Sequence, residues 1–405
     1  MPILRNCLVN DMEYRLGDLY EVSNGLSKSG ECFGSGYPFL NYSTVFNNYF
    51  IPDEIVELVQ SSNKEQMSYS IKAGDVFITR TSETTEELGM SCVALKDYPK
   101  ATFNGFCKRL RPITDKTYPL FMGYYFRTPQ FRSNFLKIAS LITRASLRNE
   151  DLLKFKVNLP SIEMQKKIAD LLFRYDALIL KNNKRIQLLE QMAENLYKEW
   201  FVNFRFPGYE AVNFEEKKPF GWIVSSCENA KIPSCFDYCE FSELGRFTRG
   251  RNITAAEMIE GEIPVISAGL QPSGYHNKAN VTGRSLTISA SGANAGYLQY
   301  NLSDIWAADC SYYQNEKNLW FVYCTLKLLQ PVISNLQCGA AQPHVYPKNI
   351  NKLCVLKPTD EMIARFNKTV EPFFDEIEVL KKKNDNLIKQ RDLLLPRLMS
   401  GKLEV

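Results

Sequence analysis

The chain has 405 residues, of which 45% are apolar and 23% are charged. This composition is typical of folded domains, and the length suffices for two or three of them, so a mainly disordered or collagenous chain is excluded. Lys and Arg number 49 against 45 Asp and Glu, so the net charge is only +4 and the placement of charge matters more than its sum. We find no secretion signal and no apolar run of the roughly 18 residues that a membrane span needs, and we expect a cytoplasmic protein with reduced thiols.

Residues 1–160 are predicted to form a first globular module of short strands and a few helices, including one helix at 118–136. Its basic residues follow a strand-like segment at 103–107 and recur in the second half of the module. Any single one of them could be a solvated side chain with a carboxylate partner. As a group they are candidates for contacts with nucleic acid, and we select Arg80, Lys108, Arg109, Arg144 and Arg148.

The segment 161–205 is predicted to be one long helix, with Ser161 as its N-cap. Its core positions alternate in steps of four and three, which is the pattern of a coiled-coil seam: Ile168, Leu172, Tyr175, Ile179, Asn182, Ile186, Leu189, Ala193, Leu196 and Trp200. Further apolar residues lie beside this seam and either widen it or contact partner helices: Leu171, Leu178, Leu188 and Met192. The aromatic run that closes the helix, 200–206, is expected to anchor it to the second module.

Residues 206–358 are predicted to form a second module. Its candidates for contacts with nucleic acid are Arg249, Arg251, Lys278, Arg284, His344 and Tyr346. Cys235 and Cys239, with Cys227 upstream, come nearest to a metal-binding pair, but their spacing is loose and His276 and His344 are distant in sequence. We therefore predict no metal site and expect the cysteines to be small buried hydrophobic residues.

A second long helix is predicted over 359–405, with Thr359 as N-cap and Gly401 as the residue that ends it. Its ladder repeats the first at a constant offset of 198 residues: Phe366, Val370, Phe373, Ile377, Leu380, Asn384, Leu387, Arg391, Leu394 and Leu398. Antiparallel pairing with level ends places Asn182 opposite Asn384, whereas parallel pairing places each amide opposite an apolar residue. The sequence therefore favours an antiparallel pair in which these amides set the register; alternatively, both lie at the edge of the seam and bind water.

The offset of 198 also relates 145–163 to 343–361, where a short strand, a proline and a helix start recur. Fainter correspondences relate 16–19 to 244–247, 37–40 to 263–266, and 72–79 to 281–288. The fold predicted from these patterns is α+β. Two similar mixed α/β modules are separated by a long antiparallel two-helix coiled coil, with a pseudo-twofold axis. The ladder from Ile168 to Trp200 is about 48 Å long at 1.5 Å per residue, or roughly 14 base pairs of B-DNA, so the arrangement suits a bipartite DNA target.

Catalytic signatures are lacking in the sequence. It contains no G-x-x-x-x-G-K-[ST] phosphate loop, no Asp/Asn-Pro-Pro-Tyr tetrapeptide of adenine methyltransferases and no recognisable cluster of nuclease carboxylates. With two histidines, the chain has little scope for histidine-based acid–base catalysis. We therefore predict no catalytic residues and a protein that is not an enzyme.

Three segments resemble a known family, the DNA specificity subunits of type I restriction–modification systems. They open the first helix, close it and lie near the C-terminus: Leu159-Pro160-Ser161-Ile162-Glu163-Met164-Gln165, Asn195-Leu196-Tyr197-Lys198-Glu199-Trp200-Phe201-Val202-Asn203-Phe204, and Gln390-Arg391-Asp392-Leu393-Leu394-Leu395-Pro396-Arg397-Leu398-Met399-Ser400-Gly401. The layout of module and helix, repeated twice, covers essentially the whole chain. One departure is that the second copy lacks the glutamine found at Gln165.

The resemblance implies that each module is a target recognition domain for one part of a split, asymmetric site in double-stranded DNA. It also implies that the helices are the spacer and the docking surface for two modification subunits, which methylate adenine with S-adenosylmethionine. Two restriction subunits that use ATP and Mg²⁺ complete the complex. No cofactor is expected in this chain. The alternative is a coiled-coil scaffold that binds proteins and does not bind DNA.

Overall fold

The computed structural model describes residues 12–80, 87–139, 148–219, 231–338 and 343–403. The chain divides into two compact units. Unit 1 comprises Met1–Lys181 and Asn384–Val405, and unit 2 comprises Asn182–Lys383. Each unit contains one of the expected modules together with part of each long helix. The predicted domain boundaries at 160, 205 and 358 stay a prediction. They separate modules from helices, whereas the two units are defined by internal contacts and each takes part of both long helices.

Three small sheets organise unit 1. A four-stranded antiparallel sheet has the order β2-β8-β5-β6, a three-stranded sheet has the order β4-β3-β7 with β3 and β7 parallel, and β1 pairs with β9. The strands are β1 (Met12–Arg15), β2 (Tyr20–Asn24), β3 (Phe33–Leu40), β4 (Leu58–Val59), β5 (Val76–Thr79), β6 (Ser91–Val93), β7 (Thr102–Phe103), β8 (Cys107–Pro112) and β9 (Lys156–Leu159).

The helices that begin in unit 1 are short, apart from the last one. They are α1 (Leu16–Leu19), α2 (Tyr42–Asn47), α3 (Asn63–Ser68), α4 (Pro119–Tyr125), α5 (Pro129–Ala139), α6 (Asn149–Lys154) and α7 (Ile162–Tyr197). The single helix predicted at 118–136 is wrong, since α4 and α5 are separate. Pro129 disfavours a helical conformation at the preceding residue, Thr128. The Oγ1 of Thr128 also accepts the backbone N–H of Phe131 at 3.2 Å, so it caps the start of a new helix.

Unit 2 repeats the strand order of unit 1. Its four-stranded sheet is β13-β19-β16-β17, its three-stranded sheet is β15-β14-β18 with β14 and β18 parallel, and β12 pairs with β20. A further pair, β10 with β11, has no counterpart among the described strands of unit 1. The strands are β10 (Phe214–Glu216), β11 (Lys231–Pro233), β12 (Asp237–Glu240), β13 (Thr248–Arg249), β14 (Ile263–Ile266), β15 (Gly274–His276), β16 (Ser285–Ser289), β17 (Leu298–Asn301), β18 (Trp306–Ala307), β19 (Cys310–Tyr313) and β20 (Cys354–Lys357).

Backbone hydrogen bonds identify which residues match between the two units, and they correct two of the faint sequence correspondences. The N–H of Leu16 donates to Phe155 O, and the N–H of Phe241 donates to Leu353 O, both at 2.8 Å. Residues 16–19 therefore match 241–244, three positions from the predicted 244–247. Thr79 pairs with Cys107 in unit 1, and Ser289 pairs with Cys310 in unit 2. Thr79 therefore matches Ser289, one residue beyond the end of the predicted match of 72–79 with 281–288. The match of 37–40 with 263–266 agrees with the strand pairing.

The helices that begin in unit 2 are α8 (Phe241–Leu244), α9 (Leu319–Leu328), α10 (Gln330–Asn335), α11 (Pro347–Ile350) and α12 (Asp360–Met399). Both predicted N-caps of the long helices are present: Ser161 Oγ accepts the N–H of Met164 at 3.4 Å, and Thr359 Oγ1 accepts that of Met362 at 3.3 Å. A π-helical turn, Lys198–Val202, follows α7. After α12, Gly401 has φ +65°, a left-handed conformation that suits glycine.

Each unit buries parts of both long helices in its own core. In unit 1, Leu172 of α7 and Leu395 and Leu398 of α12 belong to the same buried cluster. In unit 2, the Arg185 guanidinium lies 3.1 Å from the Glu376 carboxylate, and the rings of Tyr197 and Phe366 are 5.9 Å apart. Residue numbers rise along one helix as they fall along the other, so within unit 2 the two segments run antiparallel.

The aromatic run after α7 is anchored as predicted. Trp200, Phe201, Phe204 and Phe206 are all buried in the unit 2 core, where Phe206 lies against Phe236 with 5.2 Å between ring centroids. Burial of several aromatic rings stabilises this junction by several kcal/mol, at about 1.5–3 kcal/mol per large side chain. The end of α7 is therefore part of unit 2 rather than a free linker.

A buried amide fixes the start of each long helix. In unit 1, Gln165 is 1% exposed; its Nε2 donates to Lys116 O and Pro160 O, and its Oε1 accepts the Tyr118 N–H, each at 2.9 Å. In unit 2, Asn367 donates to Lys317 O and accepts the Phe321 N–H at 2.9 Å. Asn367 lies one helical turn beyond the position that matches Gln165. The glutamine that the second copy lacks is thus replaced by another amide with the same function.

Candidate DNA interface

Unit 1 brings two of its predicted cations together at one end of the four-stranded sheet. Lys108 Nζ donates to Asn24 Oδ1 at 3.0 Å, and Arg80 Nη1 approaches the same oxygen at 3.5 Å. Asn24 ends β2, Lys108 lies on β8, and Arg80 follows β5, so three neighbouring strands supply the group. Among the described residues, the bonding partners of both cations are amides rather than carboxylates, so the pair keeps its positive charge for a ligand.

Burial and a neighbouring cation both act on the pKa of Lys108. This side chain is only 4% exposed, and burial, followed by the positive charge of Arg80, lowers the pKa of its ammonium. Lys108 Nζ also donates to Asn149 Oδ1. Asn149 follows the exposed Arg148 at the start of α6, so this contact brings the segment of Arg148 to the same surface. An anion bound here would compensate two closely spaced cations.

A rigid loop places an aromatic ring beside this group. Phe106 is 58% exposed, an unusual position for a ring of this size. Its N–H donates to Asn104 Oδ1 at 2.7 Å, and its carbonyl accepts the Arg80 N–H at 2.9 Å. The ring is therefore held outward by the loop and is available for apolar contact. We name Asn24, Arg80, Phe106, Lys108 and Arg148 the unit 1 surface.

In unit 2, an arginine is held by a carboxylate and a hydroxyl. Arg249 Nη2 binds Asp309 Oδ1, and Asp309 Oδ2 accepts the Ser291 hydroxyl. The Arg249 side chain is 41% exposed and that of Asp309 is 25% exposed, whereas Ser291 is buried. The Asp309 carboxylate thus orients the Arg249 guanidinium, which remains partly exposed to solvent.

The other candidates of unit 2 are linked to this arginine. The exposed Arg251 lies two residues further, and its carbonyl accepts the Trp306 indole N–H at 2.8 Å. The Trp306 ring contacts that of His276 at 5.0 Å, which brings the exposed Lys278, two residues after His276, to this side.

The segment with the two remaining candidates is also connected to Ser291. Ser291 forms a backbone bridge with His344, and the rings of His344 and Tyr346 stack with 6.1 Å between centroids. Tyr346 is 45% exposed. We name Arg249, Arg251, Lys278, Ser291, Asp309, His344 and Tyr346 the unit 2 surface.

The two surfaces occupy matching positions in the two sheets. In the sheet pairing, Asn24 lies opposite Lys108 in unit 1, and Arg249 lies opposite Ser311 in unit 2. The backbone carbonyl of Phe106 accepts the Arg80 N–H in unit 1, and the carbonyl of Asp309 accepts the Ala290 N–H in unit 2. Arg148 and Tyr346, 198 residues apart, precede α6 and α11. The matching residues therefore differ in chemistry: Asn24 and Arg249, Phe106 and Asp309, Lys108 and Ser311, Arg148 and Tyr346.

A glycine in each unit permits this geometry. A Cβ on Gly25 would lie 2.1 Å from Asn104 O, and one on Gly250 would lie 2.4 Å from Ala308 O. Both distances are far below van der Waals contact, so each strand approaches its neighbouring loop closely only because the residue after Asn24 or Arg249 is glycine.

Three comparisons with known proteins bear on this chain. Residues 9–191 match the family model described as type I restriction modification DNA specificity domain. Residues 9–191 therefore belong to that family. The chain is also 25% identical over 420 residues to the type I restriction enzyme MjaIX specificity subunit of Methanocaldococcus jannaschii, an alignment that covers 96% of this chain and 93% of the relative. It is 22% identical over 470 residues to the type I restriction enzyme HindI specificity subunit of Haemophilus influenzae, covering 96% of this chain and 99% of the relative.

A solved structure gives the same result for the fold. The type I restriction–modification S subunit from M. genitalium aligns with a TM-score of 0.53 and 16% identity, and the alignment covers 98% of each chain. The sequence resemblance is confirmed: the chain is related over almost its whole length to type I specificity subunits, and its units have the mixed α/β character expected of them.

Two candidate residues have other partners. Arg109 Nη1 donates to Ser70 O at 2.6 Å, so this guanidinium supports the fold by binding a backbone carbonyl. Arg284 binds three carboxylates of α12: Glu371, Asp375 and Glu378. Burial opposes the charge of Arg284, but these carboxylates hold its pKa above the ordinary value. In the described part of the chain, neither side chain forms a hydrogen bond or ion pair with the unit 1 surface or the unit 2 surface defined above, so contact of Arg109 or Arg284 with DNA stays a prediction.

Three further predictions have limited structural information. Arg144 and Cys227 lie outside the described residues. The register role of Asn182 and Asn384 stays a prediction; Asn384 is 7% exposed.

No group of three or more His, Cys, Asp or Glu residues suited to a metal ion occurs in the described ranges. Most of the described cysteines are buried as predicted, but Cys235 and Cys338 are exposed and Cys32 is only partly buried, so the prediction is wrong for these three. The helices of the described segments include none that is long and apolar enough to cross a membrane.

Sequence reasoning missed the residues that hold the cations in place. Asn24, Asn149, Asp309 and Ser291 are short polar side chains, and only their three-dimensional contacts distinguish them from ordinary loop residues. The close approach of Gly25 and Gly250 was also missed. One signal was available: each glycine directly follows the residue that ends a strand, where an isolated glycine often marks a close backbone contact.

Proposed function

We propose that this type I specificity subunit is non-catalytic and recognises a bipartite, asymmetric site in double-stranded DNA. Unit 1 reads one part of the site and unit 2 reads the other. One observation supports this most strongly: two sheets of identical strand order carry side chains of different chemistry at matching positions, such as Asn24 and Arg249 or Lys108 and Ser311. Equal scaffolds with unequal side chains are what an asymmetric target requires.

In this proposal, adenine methylation and DNA cleavage are carried out by other chains. Two modification subunits would bind S-adenosylmethionine, two restriction subunits would use ATP and Mg²⁺, and no cofactor binds this chain. The predicted antiparallel pair of helices, 161–205 with 359–405, sets the spacing between the two parts of the site. The same proposal places the protein in the cytoplasm with its DNA.

Exposed apolar residues on the long helices support docking of the modification subunits. Leu178, Leu188 and Met192 are 45%, 48% and 50% exposed, so these side chains leave apolar area open on α7. Leu171 is part of the unit 1 cluster instead. Leu188 and Met192 are four residues apart and therefore lie on the same face of α7, where a partner helix could cover them.

Salt dependence separates this proposal from the alternative of a protein-binding scaffold. Binding of duplex DNA by the full chain with its modification partner is measured across a series of salt concentrations. We expect the logarithm of affinity to fall steeply with the logarithm of salt, by about 0.9 per phosphate neutralised. No salt-dependent binding to any duplex would favour the scaffold.

Footprinting tests the bipartite target. The proposal predicts two protected blocks about one helical turn apart on a cognate duplex. A single continuous block would contradict it.

A further inference from the structure

We propose, on the basis of the DNA-recognition function above, that Arg249 reads a guanine in the block contacted by unit 2. Asp309 and Ser291 are the residues that position it. The inference rests on how the guanidinium is held, not on its charge alone.

The support beneath Arg249 is complete. Both carboxylate oxygens of Asp309 are engaged, one by Arg249 and the other by the buried hydroxyl of Ser291. The backbone of Asp309 is fixed as well, since its carbonyl accepts the N–H of Ala290 at 3.2 Å, and the next residue, Cys310, accepts the N–H of Gly250 at 2.8 Å. Binding therefore loses little side-chain entropy, because the guanidinium is ordered beforehand.

The charge balance separates a base contact from a phosphate contact. Asp309 offsets the positive charge of Arg249, so the pair has little net attraction for the DNA backbone. What remains is directional: a planar fork of N–H donors on a side chain that is 41% exposed. Guanine presents two acceptors, N7 and O6, at the spacing that such a fork fits. Exposed cations such as Arg251 and Lys278, which form no ion pair within 4 Å among the described residues, suit phosphates better.

Unit 1 provides the internal contrast. Its matching positions hold Asn24 and Phe106, and the amide oxygen of Asn24 is already approached by Lys108 and Arg80. No arginine fork supported by a carboxylate occurs at these positions in unit 1. We therefore expect this guanine preference in one block of the site only.

The test is selection of bound DNA from a pool of randomised duplexes by the full chain with its modification partner. The wild-type complex is expected to select guanine at one position of one block. Arg249→Lys keeps the charge but loses the fork, so that preference should fall by about tenfold or more while the other block is unchanged. Asp309→Asn should reduce the same preference by a smaller factor.

Two controls separate base reading from charge and from folding. Arg251→Ala should weaken binding to all sequences alike. Lys357→Gln breaks a similarly exposed ion pair of unit 2, with Glu243 at 2.9 Å, and should leave the selected sequence unchanged. Thermal unfolding of each variant should match that of the wild type.

The possible failures can be distinguished. A selected block without guanine, or an R249K protein that retains the guanine preference, contradicts the inference alone. A wild-type complex that selects no sequence contradicts the proposed function itself.

Discussion

Unit 1 and unit 2 have the same strand order but use different chemistry at matching positions. The unit 1 surface combines an asparagine, two amide-bound cations and an exposed phenylalanine ring, whereas the unit 2 surface is built on an arginine held by a carboxylate. In the proposed function, the fold therefore fixes where the recognition residues lie, and the local sequence decides what they recognise.

The contrast extends to how each unit holds its long helices. In unit 1, the buried Arg391 binds Asp176, which also accepts the Tyr124 hydroxyl. The position 198 residues after Asp176 is Phe374, whose ring stacks on Trp320 in unit 2 with 3.6 Å between centroids. At this matching position of the long helices, the contact is an ion pair in unit 1 and an aromatic stack in unit 2.

The largest expected effects come from breaking these two contacts. Asp176→Ala removes the more buried of the two carboxylates that bind Arg391 and leaves only the half-exposed Asp392, so it should cost about 3 kcal/mol of unfolding free energy. Phe374→Ala removes a stacked ring and should cost a similar amount, about 3–5 kcal/mol. Urea unfolding measures both. Asp170→Ala, at an exposed position of the same helix, serves as control, and equal losses for D170A and D176A would show that the ion pair contributes nothing.

The buried amides should have the next largest effect. Gln165→Ala leaves two carbonyls and one N–H without a partner in unit 1, and Asn367→Ala leaves one of each in unit 2. Each variant should lose about 1–3 kcal/mol of unfolding free energy. Gln165→Ala should be the more destabilising because it removes more hydrogen bonds. The double variant Asn367→Ala, Ile363→Gln tests whether an amide at the position that matches Gln165 restores stability. If it recovers none of the lost unfolding free energy, the two buried amides are not interchangeable.

Lys108→Met should change DNA binding more than stability. The thioether fills the volume of the buried stem, so the fold should be retained, while the salt slope for DNA binding should fall by about 0.9 for the one lost cation. Lys96→Gln, which removes an exposed lysine paired with Asp53, is the control.

The same residue predicts a pH effect. Burial, and then Arg80, lowers the pKa of Lys108, so its ammonium loses the proton at a lower pH than ordinary lysines do. Wild-type affinity for DNA should therefore start to fall on the alkaline side before that of K108M. Parallel pH profiles would contradict a role for this ammonium.

The smallest effect is expected at the turn that opens α3. Contacts with Lys28, and then with Ser62, lower the pKa of Glu65 to about 2. The stabilisation from its charge is complete above the ordinary value of 4.5 and is lost as the pH falls towards about 2. The difference in urea midpoint between wild type and Glu65→Gln should therefore vanish over this interval. Glu257→Gln, in a similar Thr254 turn of unit 2, should give a smaller difference, because Arg251 acts on Glu257 only through its charge whereas Lys28 also donates a hydrogen bond to Glu65.

Long periodic patterns were predicted more reliably than short strands. The two long helices, the caps at Ser161 and Thr359, and the end at Gly401 agree with the structure because each depends on local residue chemistry. Two predicted core positions of the second ladder are wrong by one residue, since Phe374 and Leu395 are buried whereas Phe373 and Leu394 are only partly buried. The match of 16–19 was displaced by three residues, since short strands joined by loops of unequal length carry little local information. The break before Pro129 could have been predicted from Thr128-Pro129, where a capping residue precedes a proline.

The surfaces were only partly predictable for a physical reason. Charge identified Arg80, Lys108, Arg249 and Arg251, but charge does not distinguish a cation at a surface from one that supports the fold. Arg109 and Arg284 look the same in sequence, yet their partners are a backbone carbonyl and three carboxylates. Only the tertiary contacts separate these roles.

The central claim is that each unit reads its own part of one DNA site. Exchange of residues 1–159 for the corresponding segment of another type I specificity subunit, followed by sequencing of the methylated sites in cells that contain the partner subunits, tests it most directly. The account predicts that the block read by unit 1 changes to that of the donor while the block read by unit 2 stays the same. A change in both blocks, or in neither, in a folded and active complex would contradict it.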